Sequence, residues 1–134
     1  AGDYEAGADV QQSFLDGNLV CRLVEPGECF FFSENLFLSL FLLKPRTLYR
    51  DHAHQGSEMY FNLTGPCGFR LGDEDWVDYP ADWVIWNPPS RPHAIRVYRT
   101  PFLSAVSWVS DLDSVCRVVP RDDWQGLEAQ LQVN

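Results

Sequence analysis

The stretch Tyr49-Arg50-Asp51-His52-Ala53-His54-Gln55-Gly56-Ser57-Glu58-Met59-Tyr60 places two of the chain's three histidines two residues apart and a glutamate four residues further on. Side chains two apart on a strand share a face, so His52 and His54 project together, as do Glu58 and Tyr60. Whether residues 55–57 bend or continue the strand, the even step keeps Glu58 on the histidine side. The third histidine, His93, opens a later apolar run after the turn Asn87-Pro88-Pro89-Ser90. It needs only a neighbouring strand to complete a four-ligand shell. Imidazoles with one carboxylate and no thiolate suit Fe(II), Mn, Ni, Co or Zn and argue against a structural zinc site. Four protein ligands leave octahedral positions where a substrate oxygen can bind. A lone histidine is more often an ordinary core or surface residue. Here every histidine of the chain falls into one spacing with a glutamate, which favours a divalent metal.

Outward from this stretch, short apolar or alternating runs recur with turns about every 8–12 residues, the pattern of an all-β sandwich or barrel. They are Leu19–Val24, Cys29–Phe32, Leu36–Leu43, Leu48–His54, Glu58–Leu63, Gly68–Leu71, Trp76–Tyr79, Trp83–Trp86, His93–Tyr98, Phe102–Val109 and Val115–Val119. Between them lie turn-forming Glu25-Pro26-Gly27, Gly65-Pro66 and Gly72-Asp73. An antiparallel double-sheet jelly roll is the simplest architecture. Residues 18–134 form this single barrel domain. Residues 1–17, polar and rich in Gly, Ala and Asp, read as an N-terminal arm with a turn of helix near Val10 to Leu15. Helical periodicity otherwise appears only in Trp124 to Leu131.

At 134 residues, with 46% hydrophobic and 14% aromatic residues, the chain can bury a core without staples. A net charge of −9 without any run of Lys or Arg excludes nucleic acid and anionic membranes as partners. Cys21, Cys29, Cys67 and Cys116 are widely spaced, which reads as free thiols. The longest apolar stretch, Leu36 to Leu43, is too short to span a bilayer, and no leader-like segment opens the sequence. A cytoplasmic protein is the expectation. Ala1 is no natural start, so the missing leader is weak evidence and a preceding segment stays open.

The residues resemble the cupin superfamily. Its first motif is matched by His52, His54, Glu58 and Gly65, and its second, a proline turn ahead of a histidine, by Pro88 and His93. The resemblance covers roughly residues 38–109 and implies a double-stranded β-helix barrel. The chain departs from it where the motifs carry glycine or asparagine and this sequence has Arg46, Asp82, Ser90 and Val97. Those departures bear on turn geometry, not on the ligands. Cupins commonly pair, so a homodimer is expected from the resemblance.

A narrower resemblance is to the cupin-type dimethylsulfoniopropionate lyases. It is carried by a tyrosine ahead of the two histidines, a second tyrosine two residues past the glutamate, Leu63-Thr64-Gly65 through Gly68-Phe69-Arg70, and the Trp108 run. It implies a metal-dependent carbon–sulfur lyase acting on a small carboxylate, a sulfonium zwitterion, with Tyr60 as the base. Tyr49 is the second candidate, orienting substrate. Without the resemblance, each tyrosine reads as a core aromatic. Trp108, and less directly Trp86, would face the sulfonium. Asp51 points away from the pocket by alternation, while Arg50, on the ligand side of an ideal strand, reads as a rim or surface charge rather than a substrate clamp. The same four ligands would also serve an Fe(II)-dependent cupin oxygenase, or a non-enzymatic barrel in which the metal orders a small-molecule site.

Overall fold

The computed structural model describes residues 4–8 and 10–133. Residues 1–3 and Asp9 of the expected arm, with Asn134, lie outside the described residues. Helix α1 is Gln12–Leu15 and α2 is Trp124–Val133. The strands are β1 (Asn18–Glu25), β2 (Phe31–Phe32), β3 (Phe37–Leu43), β4 (Leu48–Ala53), β5 (Glu58–Asn62), β6 (Cys67–Leu71), β7 (Val77–Tyr79), β8 (Val84–Asn87), β9 (His93–Val97), β10 (Phe102–Trp108) and β11 (Arg117–Val118). Each coincides with one of the apolar runs read from the sequence, with its ends shifted by a residue or two. The runs Val115–Val119 and Cys29–Phe32 shrink most, each to a two-residue strand, and Phe31 and Phe32 lie exposed on the sheet edge.

Two sheets face each other, six-stranded in the order β2-β1-β3-β10-β5-β8 and five-stranded in the order β11-β4-β9-β6-β7. This is the expected all-β jelly roll. Alternation assigns the inward side: Phe37, Ser39, Phe41 and Leu43 of β3 are buried, and so are Phe102, Ser104, Val106 and Trp108 of β10. The β3–β10 register sets Phe37 opposite Trp108 and Leu43 opposite Phe102, so one continuous apolar wall lines the barrel. Phe69 and Tyr60 close it with an edge contact at 5.3 Å between ring centroids. All four cysteines are free thiols. No helix among the described residues is long and apolar enough to cross a membrane.

The expected arm packs onto this wall. Phe14 of α1 is buried and stacks on Tyr49 at 4.3 Å. Tyr4 forms an isolated bridge with Cys116.

Three of the four departures from the glycine pattern fall at left-handed turns: Arg46, Asp82 and Ser90 have φ of 60°, 64° and 63°. A side chain is strained there unless local bonds hold it. Arg46 N–H donates to the Tyr98 carbonyl, and its guanidinium reaches the carbonyl of Gln132 at 2.7 Å. Ser90 N–H donates to the His54 carbonyl, and its hydroxyl to Gln55. Asp82 has only its backbone bond to Asn62. Asp82→Gly should therefore raise stability by about 0.5–1 kcal/mol, read as a shift in the urea midpoint.

Candidate metal centre

His52 and His93 lie on adjacent strands, directly opposite each other in the β4–β9 register. His54 follows β4 where the chain leaves the five-stranded sheet, and Glu58 opens β5 in the other sheet. Residues 54–57 thus cross between the walls, and Glu58 faces the histidines from the far side. All four side chains are buried. The three imidazoles offer ring nitrogens within 4.8 Å of one another.

Backbone carbonyls orient the rings. Nδ1 of His52 lies 2.8 Å from the Arg50 oxygen and Nδ1 of His54 lies 2.9 Å from the Gly56 oxygen. A carbonyl only accepts, so the proton sits on Nδ1 and the Nε2 lone pair is left for the site. His93 Nδ1 faces the Arg91 carbonyl at 3.0 Å and the Asn87 amide at 2.7 Å. Asn87 in turn accepts from Arg91 Nε.

Glu58 Oε1 lies 3.1 Å from His93 Nε2 and 3.3 Å from His54 Nε2. These groups are close but not aligned as hydrogen bonds: His54 Nε2 and Glu58 Oε1 are both buried without a hydrogen-bond partner. Buried polar atoms are nearly always satisfied, so a convergent, unpaired nitrogen and carboxylate oxygen match ligands for a cation. The residues present fit a divalent transition ion. The triad of His52, His54 and His93 could hold it, with Glu58 beside them. Burial, then the neighbouring His93, pushes the His52 imidazole well below its ordinary pKa, which keeps it neutral, as a ligand must be. Burial alone would raise the Glu58 carboxyl, but the rings of His54 and His93 outweigh it and hold the group well below the usual carboxylate range.

Two aromatics fix the ligands. Trp108 stacks on His54 at 4.2 Å, and its indole N–H donates to Glu58 Oε2 at 2.6 Å. Tyr49 stacks on His52 at 3.9 Å, its other face covered by Phe14. Tyr60 is buried in the same interior, 6.3 Å from the His93 ring, with its phenol beside the Glu58 carboxylate. Burial, then Glu58, pushes that phenol well above its ordinary value; burial, then Tyr4, does the same to Tyr49. Gly56 makes the Trp108 position possible, because a β-carbon there would lie 2.5 Å from the indole Cε3. Gly56→Ala should cost about 1–3 kcal/mol through overpacking, measurable by urea denaturation.

One expectation is corrected. Trp86 lies on the outer face of β8, half-exposed, because alternation turns Ile85 and Asn87 inward instead. It does not join the site. Arg50 is an outward charge, as expected, although an ideal strand would put it on the ligand side: an irregularity between Tyr49 and His52 breaks the alternation. Its guanidinium pairs with Glu128 of α2 at 2.7 and 3.1 Å and lies 4.9 Å from the centroid of the Trp124 ring. Asp51 points away from the pocket, as expected, yet is fully buried. It accepts from Arg70 Nε at 3.0 Å and from the Trp124 indole at 2.8 Å, with Arg121 at 3.4 Å. No residue pattern announces this clasp, nor Phe14 and Tyr4 behind the candidate ligands.

The family model for dimethylsulfoniopropionate lyase matches residues 3–104. The chain is 32% identical over 109 residues to dimethylsulfoniopropionate lyase DddQ of Ruegeria pomeroyi, covering 81% of this chain and 51% of that protein. The chain thus spans about half the length of this curated relative. The crystal structure of DddQ from the same organism superposes with a TM-score of 0.76 at 24% identity, covering 88% of this chain and 61% of that one. Salicylate 1,2-dioxygenase from Pseudoaminobacter salicylatoxidans superposes at 0.66 and 14% identity, covering 79% and 32%. At these identities the structural likenesses show a shared fold, that of the cupins. The sequence match over most of its length shows that the chain belongs to the dimethylsulfoniopropionate lyase family.

Proposed function

We propose that the chain carries the active site of a metal-dependent lyase that cleaves dimethylsulfoniopropionate to dimethyl sulfide and acrylate, with Tyr60 as the base. The observation that carries this reading is Tyr60 buried on the same face of β5 as Glu58, in an interior shared with three imidazoles. In the elimination, Tyr60 acts as the phenolate: the proton on the carbon next to the substrate carboxylate passes to its oxygen and leaves a neutral phenol. The electrons of that C–H bond form the carbon–carbon double bond, and the C–S bond breaks with its pair leaving on sulfur. Dimethyl sulfide departs neutral, so no general acid is needed. The difficulty is the weakly acidic proton. A divalent ion held by His52, His54, His93 and Glu58 would supply electron withdrawal from the substrate carboxylate and a positive field offsetting the Glu58 charge that bears on Tyr60.

The remaining residues hold this arrangement. Tyr49, stacked between Phe14 and His52, positions His52; its hydroxyl is buried without a hydrogen-bond partner, and it is the second candidate for proton transfer. Trp108 anchors Glu58 and offers an aromatic surface to a sulfonium. The buried walls exclude water from the carbanion-like transition state.

The test is headspace measurement of dimethyl sulfide from purified protein supplied with dimethylsulfoniopropionate under anaerobic conditions. Release without oxygen is expected. Oxygen uptake linked to turnover of an organic substrate, with no dimethyl sulfide, would move the site to oxygenase chemistry.

A further inference from the structure

Beside Trp108 lies a cleft of about 270 Å³ lined by Arg22, Glu25, Phe37, Trp108, Asp113 and Ser114 among others. It lies just below the size of sites for drug-like ligands, about 300–1,000 Å³, and so suits a smaller molecule. Its position is set by strand ends: Glu25 closes β1, Phe37 opens β3 and Trp108 closes β10. Glu58, opposite Trp108 in the β5–β10 register, opens β5 at that same end of the sheet. Trp108 thus lines the cleft and also stacks on His54, one of the candidate metal ligands.

The cleft already holds a cation against an aromatic ring. The Arg22 guanidinium carbon lies 5.6 Å from the Phe37 centroid, and Nη1 lies 3.5 Å from Glu25 Oε2. Phe37 and Trp108 meet at 6.0 Å and an interplanar angle of 45°, so two aromatic surfaces converge there. The Arg22 side chain is 46% exposed, and that of Glu25 is 18%. Glu25 is thus the more buried partner of the pair and Arg22 the more exposed one. The lining carries two carboxylates, Glu25 and Asp113, and one guanidinium, which leaves the cleft net negative.

We propose that this cleft is an onium-binding vestibule before the metal cluster, in which Arg22 holds the cation's place until a small sulfonium or quaternary ammonium ligand displaces it. Phe37, Trp108 and Glu25 then receive the onium head. That its natural occupant is the zwitterionic substrate rests on the lyase reading; the preference for an onium does not.

The probe is tetramethylammonium chloride, titrated into the purified chain at constant ionic strength and followed by NMR broadening of its methyl signal. Glu25→Gln should weaken binding about threefold to fivefold, and Arg22→Gln should strengthen it by a similar factor. Both residues are at the surface, so both variants should fold, which circular dichroism checks. Absence of binding in wild type and Arg22→Gln alike, or an unchanged affinity in Glu25→Gln, overturns the proposal. The same variants assayed for dimethyl sulfide release separate the two readings. If wild type releases none but the binding pattern holds, the lyase reading falls and the onium site stands. If wild type is active and Glu25→Gln alters neither KM nor tetramethylammonium affinity, the vestibule falls alone.

Discussion

Tyr60→Phe is expected to lower dimethyl sulfide release at least about a hundredfold, the scale of a lost general base, while bound metal and fold stay unchanged. The ring keeps its contacts in the variant, since Phe69 at 5.3 Å, His93 at 6.3 Å and Phe102 at 6.4 Å all pack against carbon. Only the oxygen beside Glu58 is removed. Tyr49→Phe is the matched control, because it deletes a buried hydroxyl while sparing the stack on His52. It should reduce kcat by less than about tenfold. Steady-state kinetics with metal analysis of both variants makes the comparison, and the opposite ranking would transfer the base role to Tyr49.

The largest effect on stability is expected at Asp51. Its carboxylate, fully buried, takes two donors from Arg70, one from Trp124 and the charge of Arg121. Arg70 also binds Asp123 through both terminal nitrogens. Together these bonds fasten α2 to the back of the strand that carries His52. Asp51→Ala removes the shared acceptor and leaves the Arg70 and Trp124 donors facing an apolar gap. Breaking a buried pair in this way costs about 3–5 kcal/mol. For a domain near this size, that lowers Tm by roughly 10–20 °C. Chemical denaturation of the metal-free protein is the suitable check, because a bound ion would add its own stabilisation to the native state. A loss below about 1 kcal/mol would show that α2 is not held by this clasp.

The candidate ligands that the structure brings together were legible in the sequence because their logic is local. His52 and His54 obey strand alternation, Glu58 follows at an even step, and His93 is announced by a proline turn. The eleven strands were legible because apolar runs and turn residues alternate clearly. Arg50 reads as a rim or surface charge and is one, but the reason it leaves the ligand side of the strand, an irregularity in β4 between Tyr49 and His52, is invisible in the residue pattern. Trp86 was considered for the pocket on aromatic character, although β8 turns its neighbours Ile85 and Asn87 inward. The Asp51 clasp stayed hidden because its partners are far along the chain: Arg70 is 19 residues away and Trp124 is 73. Phe14 and Tyr4 sit in a polar stretch that reads as an arm, and only tertiary packing brings them behind Tyr49. Arg46, Asp82 and Ser90 show the converse, since comparison with a glycine pattern pointed to the turns whose backbone is left-handed.

Elemental analysis of the purified chain, folded by circular dichroism and equilibrated with Fe(II), Mn(II) or Zn(II) before desalting, tests most directly whether the imidazoles and Glu58 form a metal centre. One equivalent of metal per chain is expected, falling to a small fraction in His93→Ala and Glu58→Ala. A folded wild-type chain that retains no transition metal, or ligand variants that retain as much as wild type, would contradict it.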